Sequence, residues 1–187
     1  MRCAVAIAAV RELPEEGAQQ VTQALLHEPL EVDEHRGGWV RILTAYRYHG
    51  WMRAVHVEEG EGTLPELSEV PPLAIARDLI GAPYEWGGIT GRGVDCSGLV
   101  HIAYRLSGRL VPRDAWQHEL AGMKVRVGQE QLGDLVTYGG NGDRADHIAF
   151  LLGDDRILHA TAREGLGVVE EAEPAELAAR RRFVLRL

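Results

Sequence analysis

Cys96 and two histidines downstream of it have the side chains of a cysteine nucleophile and its base. Cys96 lies in the segment Val94–Gly98, where a glycine-rich loop gives way to a helical pattern. A thiol at a helix start faces the positive end of the peptide dipoles, which lowers its pKa and favours the reactive thiolate. His147 and His159 lie in strand-like segments further along the chain. A helix-borne thiol beside paired imidazoles indicates nucleophilic catalysis by cysteine.

The spacing of the two histidines predicts that they meet across a β-hairpin. A turn signal, Gly153-Asp154-Asp155, lies midway between them. A three-residue turn there would pair His147 directly with His159, and a two-residue turn would displace the pairing by one position. A lone cysteine is usually a small buried hydrophobe and a strand histidine is often a core residue, but the convergence of these residues favours a site. Five further histidines, His118 among them, lie in polar or irregular stretches and are expected at the surface.

The composition limits the classes of partner and cofactor. The 187-residue chain is 45% hydrophobic, enough for one main core, and its formal net charge is -8. Binding to a nucleic-acid backbone requires clustered cations, so nucleic acid is not expected as a partner. Cys3 and Cys96 are the only cysteines, which excludes a disulfide framework and a Cys-X-X-Cys metal pair. We therefore expect neither a metal nor another cofactor.

The N-terminal sequence bears on the compartment. Residues 3–10 follow Arg2 as a short apolar run that leads directly into Arg11-Glu12-Leu13-Pro14. The shortness of the run and the missing polar cleavage region favour a first β-strand over a signal peptide. No segment approaches the length needed to span a membrane. We therefore expect a cytoplasmic protein without a membrane partner, and the sequence does not predict its oligomeric state.

A change of pattern near residue 60 predicts two domains. Short strand-like runs separated by glycine-containing turns favour a small all-β barrel over residues 1–60. Residues 61–71 are acidic, contain Gly and Pro and lack apolar periodicity, which is typical of a linker. The second domain covers residues 72–187. The strand-like runs of the first domain lie at 5–10, 29–33, 39–43 and 51–57.

The second domain begins with helices and continues with strands. A helical pattern over 73–80 ends at Gly81, the Cys96 helix runs to about Leu106, and a loop after Val111 leads into a short helix. Five strand-like runs and a short helix near 174–179 follow. Helices first and an antiparallel sheet after them predict an α+β fold. The strand-like runs lie at 135–138, 147–152, 156–160, 167–171 and 183–187.

Several short motifs of the second domain carry a family resemblance. Asp95–Val100, with Tyr84–Gly88 upstream and Asp134-Leu135, Asp146–Ala149 and His159-Ala160 downstream, resembles the NlpC-type cell-wall cysteine peptidases. The resemblance covers about residues 72–187 and implies a papain-like fold, with the cysteine helix packed on an antiparallel sheet.

A weaker resemblance covers the first domain. This segment, with Gly38-Trp39-Val40 and Tyr48–Trp51, is similar to the bacterial SH3-like domain of a subgroup that trims murein peptides.

The resemblance implies roles for the residues of the site. Cys96 would be the nucleophile, His147 the general base and His159 the group that orients His147. The backbone N–H of Cys96 and the Tyr84 hydroxyl would hold the oxyanion. The substrate would be a murein stem peptide, L-Ala-γ-D-Glu-diamino acid with a free N-terminus, cut before the diaminopimelate or lysine.

The resemblance also implies substrate-binding residues, with two departures from the subgroup. Ala115 stands where the subgroup commonly has a serine, and an acid of the N-terminal domain falls near Gln19, for which the neighbouring Glu16 would substitute. The implied substrate-binding residues are Asp95, Ser97, Tyr84, Trp86, Asp114 and Tyr48. Asp95 is expected first of all to cap the helix that follows it.

Two other classes of function stay open on the sequence. Cys96, His147 and His159 could instead be three zinc ligands with an open position for water, which would make a metallohydrolase. The chain could also be a non-catalytic protein that binds wall fragments. The intact Cys-His-His set argues against the second alternative, because a protein without catalysis does not need all three residues.

Overall fold

The computed structural model of the chain describes residues 1–66, 68–140, 142 and 144–187. Its N-terminal part is all β. Five of its strands form one antiparallel sheet in the order β3-β2-β6-β5-β4, and β1 pairs separately with β7. The strands are β1 (Arg2–Cys3), β2 (Ile7–Arg11), β3 (Gln20–Leu25), β4 (Leu30–Arg36), β5 (Trp39–Thr44), β6 (His49–Arg53) and β7 (Val57–Glu58).

Apolar side chains of this sheet form a small core of their own. Val10, Ile42 and Met52 have no exposed surface there, and Cys3 is equally buried. In the part of the chain that the structure describes, the edge strands β3 and β4 do not pair with each other, so closure into a barrel stays a prediction.

Strand β3 was not predicted from the sequence. Its central residues, Thr22 and Gln23, are polar, yet both are buried. Gln23 Oε1 accepts a hydrogen bond from the backbone N–H of Ile89 at 3.0 Å, and Thr22 Oγ1 accepts one from Arg113 Nε at 3.2 Å. These partners lie in the second part of the chain, so the polar residues of β3 are buried at an interface that sequence periodicity does not reveal.

The second part of the chain has helices first and a sheet after them, as predicted. Six antiparallel strands pair in the order β10-β15-β11-β12-β13-β14. The elements are α1 (Pro72–Arg77), β8 (Ile89–Thr90), β9 (Gly93–Val94), α2 (Cys96–Leu106), α3 (Ala115–Ala121), β10 (Met123–Lys124), β11 (Leu135–Tyr138), β12 (His147–Gly153), β13 (Arg156–Thr161), β14 (Gly167–Ala172), α4 (Ala175–Ala178) and β15 (Arg181–Arg186). The α+β prediction is therefore confirmed, and so is a helix that begins at Cys96 and ends at Leu106.

Helix α2 packs directly on the six-stranded sheet. Leu99 and Val100 are fully buried against a cluster that includes Ile148 and Phe150 of β12 and Leu158 of β13. At roughly 1.5–3 kcal/mol for each fully buried aliphatic or Phe side chain, this contact holds the helix firmly on the strands that carry the two histidines. No helix among the described residues is long and apolar enough to cross a membrane.

The β12–β13 hairpin has a different register from either one expected. The strands are joined by the two residues Asp154 and Asp155, and an irregularity before Gly153 shifts the pairing further, so that Phe150 lies opposite Leu158. Extended along the strands, this register places His159 opposite Ala149, two positions from His147. The two histidines are therefore diagonal neighbours on one face of the sheet, which still brings their side chains within reach.

The stretch predicted as a linker has no regular structure among its described residues, 61–66 and 68–71, and Leu67 lies outside the described residues. The parts on either side of it share a buried ion pair. Arg105 Nη1 of α2 donates to Glu28 Oε2 at 2.9 Å, and their side chains are 3% and 0% exposed. The N-terminal sheet is thus held against the helix that begins with Cys96.

Candidate active site

Cys96 is the first residue of α2, and the residue before it caps the helix. Asp95 is extended, and its Oδ1 accepts the backbone N–H of Gly98 at 2.7 Å, as predicted for a helix cap. Its Oδ2 accepts the backbone N–H of Gly87 at 2.7 Å. One carboxylate therefore joins the helix start to the glycine-rich loop in front of it.

Residue 98 must be a glycine, because there is no space for a side chain at this position. A Cβ on this residue would overlap the backbone carbonyl oxygen of Gly88. The loop can therefore lie directly against the first turn of α2 only because residue 98 has no side chain.

His147, at the start of β12, and His159, within β13, lie side by side. Nε2 of His147 is 2.8 Å from Nδ1 of His159, and the ring planes are nearly perpendicular at 84°. The Cys96 thiol lies against the backbone N–H of Ile148, the residue after His147. The thiol therefore lies at the start of the strand that carries His147, and the two imidazoles that the sequence singled out bind each other. Since Nε2 of His147 is engaged with His159, Nδ1 is its other ring nitrogen, and its approach to the thiol stays a prediction.

The electrostatics of the thiol differ from the expectation. Burial and, to a smaller extent, the neighbouring Asp95 carboxylate raise the pKa of Cys96 to about 12. A helix dipole is worth about 0.3–1 kcal/mol, whereas desolvation of a fully buried group shifts a pKa by up to about 3–5 units. Desolvation therefore outweighs the dipole, and the expected low thiol pKa is wrong for the resting site.

His147 is also held neutral. Burial, together with His159 and Arg180, lowers its pKa to about 3. Cys96 and His147 are therefore a thiol and a neutral imidazole at rest. Transfer of the proton from one to the other creates two opposite charges side by side, whose mutual attraction is available only once both have formed.

Sequence reasoning missed two charged residues behind the site. One is Glu171 of β14, whose Oε1 lies 2.9 Å from Nε2 of His159. Strand β14 was predicted with its end near this residue. Glu171 could have been found from its position, because it lies two residues beyond Val169, which pairs with His159. Arg163 donates to both carboxylate oxygens of Glu171, at 2.7 and 2.5 Å.

The second charged residue that sequence reasoning missed is Arg113, whose side chain is only 1% exposed. Its Nη2 and Nη1 donate to the two oxygens of Asp95 at 2.7 and 3.0 Å, and Nη1 also donates to Ser97 Oγ at 2.9 Å. The resemblance pointed to the loop that contains Arg113 without giving this residue a role. Asp95 and Ser97 therefore both bind Arg113, and the negative charge of Asp95 is balanced by its guanidinium group.

A cleft of about 320 Å³ opens above Cys96. Tyr48, from the N-terminal sheet, donates its hydroxyl to Asp114 Oδ2 at 3.1 Å across this cleft. Trp86 is 59% exposed at the rim. All six residues expected to bind substrate line the cleft, namely Tyr48, Tyr84, Trp86, Asp95, Ser97 and Asp114.

Glu16, suggested as the acid of the N-terminal part, does not line the cleft. Glu16 forms ion pairs with Arg53 at 3.3 Å and Arg11 at 3.8 Å. Among the described residues, Glu12 and Gln19 line the cleft instead. The carboxylate of Glu16 is therefore directed to these arginines, and Glu12 is the acid of the N-terminal part that lines the cleft.

A second correction concerns His118. It was expected at the surface but is fully buried, and burial lowers its pKa to about 3. It lies in α3, which the capping box formed by Asp114 and Gln117 begins at the cleft.

Comparison with known proteins decides the family. A model of the NlpC/P60 family matches residues 81–179. The chain belongs to the NlpC/P60 family. The match includes Cys96, His147, His159 and Glu171.

The relatives that it resembles are longer than the matched part. A gamma-D-glutamyl-L-lysine dipeptidyl-peptidase of Bacillus cereus is 30% identical over 133 residues, 66% of this chain and 38% of that protein. The chain thus spans less than half the length of this relative. The chain also resembles the crystal structure of an NlpC/P60 family protein from Bacillus cereus, with a TM-score of 0.60 and 22% identity. The match covers 99% of this chain and 62% of the Bacillus cereus chain, so the two share the fold.

One similar NlpC/P60 structure comes from a protein described as non-catalytic. RipD of Mycobacterium tuberculosis, described as an adaptation to peptidoglycan binding, is 27% identical with a TM-score of 0.52. It covers 63% of this chain and 95% of its own.

Proposed function

We propose that this chain is a cysteine peptidase that hydrolyses the bond between γ-D-glutamate and the diamino acid of murein peptides. The observation that carries the proposal is that Cys96 lines a cleft with its thiol against the backbone N–H of the residue after His147, whose Nε2 is bound to His159. These are the three parts of a nucleophile, a base and a group that orients the base.

The proposed reaction uses the proton of the thiol twice. Nδ1 of His147 takes the proton as Cys96 Sγ attacks the γ-carbonyl carbon of D-glutamate, so the S–C bond forms while His147 becomes charged. His147 then returns the proton to the leaving amine of the diamino acid as the C–N bond breaks. Water, activated by His147, hydrolyses the thioester and regenerates the thiol. Such acid–base assistance contributes about 10²–10⁴-fold to a rate.

Two donors are placed for the negative oxygen of the tetrahedral intermediate. Cys96 is the first residue of α2, so its backbone N–H has no partner within the helix. Tyr84 also lines the cleft, and burial raises the pKa of its hydroxyl, with the nearby Cys96 and Asp95 adding to the effect. The hydroxyl therefore keeps its proton and can donate it to the oxyanion.

The acyl side of the substrate would occupy the cleft between the two parts of the chain. A peptide that begins with L-Ala carries an ammonium group. Among the described acids of the lining, Asp95 pairs with Arg113 and Asp146 with Arg180, whereas Asp114 and Glu12 are in no ion pair. Selectivity for a free N-terminus is the property that the dipeptidyl-peptidase name of the Bacillus cereus relative describes. The N-terminal sheet, which we propose to be an SH3-like barrel, supplies Glu12 and Tyr48 to this side. The cytoplasmic location stays a prediction.

The experiment is a peptide cleavage assay on the wild type and two matched cysteine variants. L-Ala-γ-D-Glu-meso-diaminopimelate and the L-Lys analogue are supplied with and without an N-acetyl group, and products are followed by mass spectrometry. Wild type and Cys3→Ala should release the diamino acid from the free peptides, whereas Cys96→Ala should not. Cys3 is the matched control because it is buried in the N-terminal sheet, away from the cleft.

Each remaining outcome identifies a different error. Cleavage by Cys96→Ala would refute the cysteine mechanism. Equal cleavage of blocked and free peptides would refute the selectivity for a free N-terminus. Binding of both peptides without cleavage by the wild type would favour a non-catalytic protein like RipD. A zinc hydrolase is disfavoured because the facing nitrogens of His147 and His159 bind each other at 2.8 Å, and inhibition by a chelator with restoration by zinc would reverse that conclusion.

A further inference from the structure

A line of hydrogen bonds extends behind His147 to a carboxylate on the edge of the sheet. His147 Nε2 meets His159 Nδ1 at 2.8 Å, and His159 Nε2 meets Glu171 Oε1 at 2.9 Å. Glu171 belongs to β14, the edge strand beside β13. Asp146, the residue before His147, lines the cleft, and Arg163 at the other end of the line holds both oxygens of Glu171.

The acid at the end of the line determines the direction of every hydrogen bond in it. Partial burial opposes ionisation of Glu171, but hydrogen bonds from His159 and Arg163 lower its pKa overall. An ionised carboxylate can only accept, so Nε2 of His159 must carry a hydrogen. Burial lowers the pKa of His159, so the ring is neutral and its Nδ1 must then be an acceptor. That nitrogen receives the Nε2 hydrogen of His147, which leaves Nδ1 of His147 as a lone pair.

We propose that Glu171 is a positioning residue that fixes the tautomers of both histidines, so that His147 presents an unprotonated Nδ1 to the Cys96 thiol. The inference rests on the proposed cysteine peptidase activity for its catalytic meaning. Without Glu171, His159 could carry its hydrogen on Nδ1 and donate it to His147. His147 would then hold its own hydrogen on Nδ1, where it could not accept the proton of the thiol.

Arg163 has a supporting part in the same arrangement. Its guanidinium binds both oxygens of Glu171, which holds the carboxylate in one orientation and keeps it ionised. Glu171 and Arg163 touch neither the thiol nor the cleft, since neither lines it. Their effect on catalysis is therefore exerted through His159.

The test compares two variants of Glu171 with a matched variant of its neighbour. Glu171→Ala removes the acceptor and should lower kcat about 10–100-fold, the range found when a partner behind a functional histidine is lost, with KM unchanged. Glu171→Gln keeps an amide oxygen that can accept from His159 and should retain most of the activity. Glu170→Ala removes ion pairs to Arg77 at 3.4 Å and Arg156 at 3.8 Å and should leave kcat at the wild-type value.

A spectroscopic measurement decides the question independently of turnover. Imidazole ¹⁵N shifts of His147 and His159, recorded at neutral pH in the Cys96→Ala background, should show both rings protonated on Nε2. Adding Glu171→Ala should move hydrogen to Nδ1, and adding Glu171→Gln should not. Unchanged tautomers, or an unchanged kcat in Glu171→Ala, would overturn the inference. A wild type that cleaves no murein peptide would refute the proposed function alone, because the ¹⁵N comparison would still test the tautomers.

Discussion

Replacing Arg105 by methionine should destabilise the protein far more than the loss of any exposed charge. Arg105 lies in α2 and its Nη1 donates to Glu28 Oε2 at 2.9 Å, with side chains 3% and 0% exposed. Methionine has a similar length and stays apolar, so the change leaves a buried carboxylate without its cation. Breaking a buried ion pair from one side costs about 3–5 kcal/mol. At about 2–4 °C for each kcal/mol in a chain of this size, the Tm should fall by about 6–20 °C.

The loss should depend on pH in a defined direction. Burial raises the pKa of Glu28 even in the wild type, where Arg105 opposes the shift. Without Arg105 the pKa rises further above its unfolded value, so the folded state retains a proton that the unfolded state has released. Stability then falls as pH rises, by up to about 1.4 kcal/mol for each pH unit between the two pKa values. Arg105→Met should therefore be less destabilised at pH 5 than at pH 8.

The assay is urea unfolding at both pH values, followed by circular dichroism and tryptophan fluorescence. Arg109→Met is the matched control, because Arg109 is exposed shortly after the end of α2 and lies over the Tyr104 ring at 5.1 Å. The double variant Glu28→Gln with Arg105→Met should recover most of the loss, since no buried charge remains. A loss no larger than that of Arg109→Met, or the same loss at both pH values, would refute the reasoning.

Three further changes test other parts of the site. Among the described residues neither ring nitrogen of His118 has a partner, and burial lowers its pKa to about 3. The wild type should therefore lose about 2 kcal/mol of stability between pH 7.5 and pH 5, and His118→Leu should not. Thermal melts at both pH values would show the difference. Gly98→Ala drives a Cβ into the carbonyl oxygen of Gly88 and should cost about 1–3 kcal/mol, measured by urea unfolding; an unchanged midpoint would show that the loop can move away. Tyr84→Phe should lower kcat about 10²–10³-fold at unchanged stability if its hydroxyl holds the oxyanion, and unchanged turnover of the free peptide would exclude that role.

Local patterns predicted the elements of the second part well, because each is specified by nearby residues. The capping Asp95 and the apolar residues after Cys96 define α2, and alternating apolar residues define the strands that carry His147 and His159. The exact register of those strands was not predictable, because the irregularity before Gly153 depends on how the hairpin packs. The contact between His147 and His159 was nevertheless predictable, because a turn signal lies midway between them in the sequence.

Properties that depend on burial could not be predicted in the same way. The motif around Cys96 suggested a lowered thiol pKa, but the folded site removes water from the thiol and burial decides the direction. Strand β3 was missed because its buried residues Thr22 and Gln23 are polar, and they form hydrogen bonds with the second part of the chain. Arg113 looked like a loop residue, and only the structure shows that it is buried against Asp95.

These buried contacts change what the predicted division into two domains means for function. The N-terminal sheet supplies Thr22 to Arg113, which in turn binds Asp95, the residue that caps the catalytic helix. It also supplies Glu28 to Arg105 on the same helix. Separation of the two parts at the linker would leave Arg105 without Glu28 and Arg113 without Thr22. The sheet that we propose to contribute to substrate selection therefore also supports the helix that begins with Cys96, so changes to its buried polar face should alter both stability and turnover.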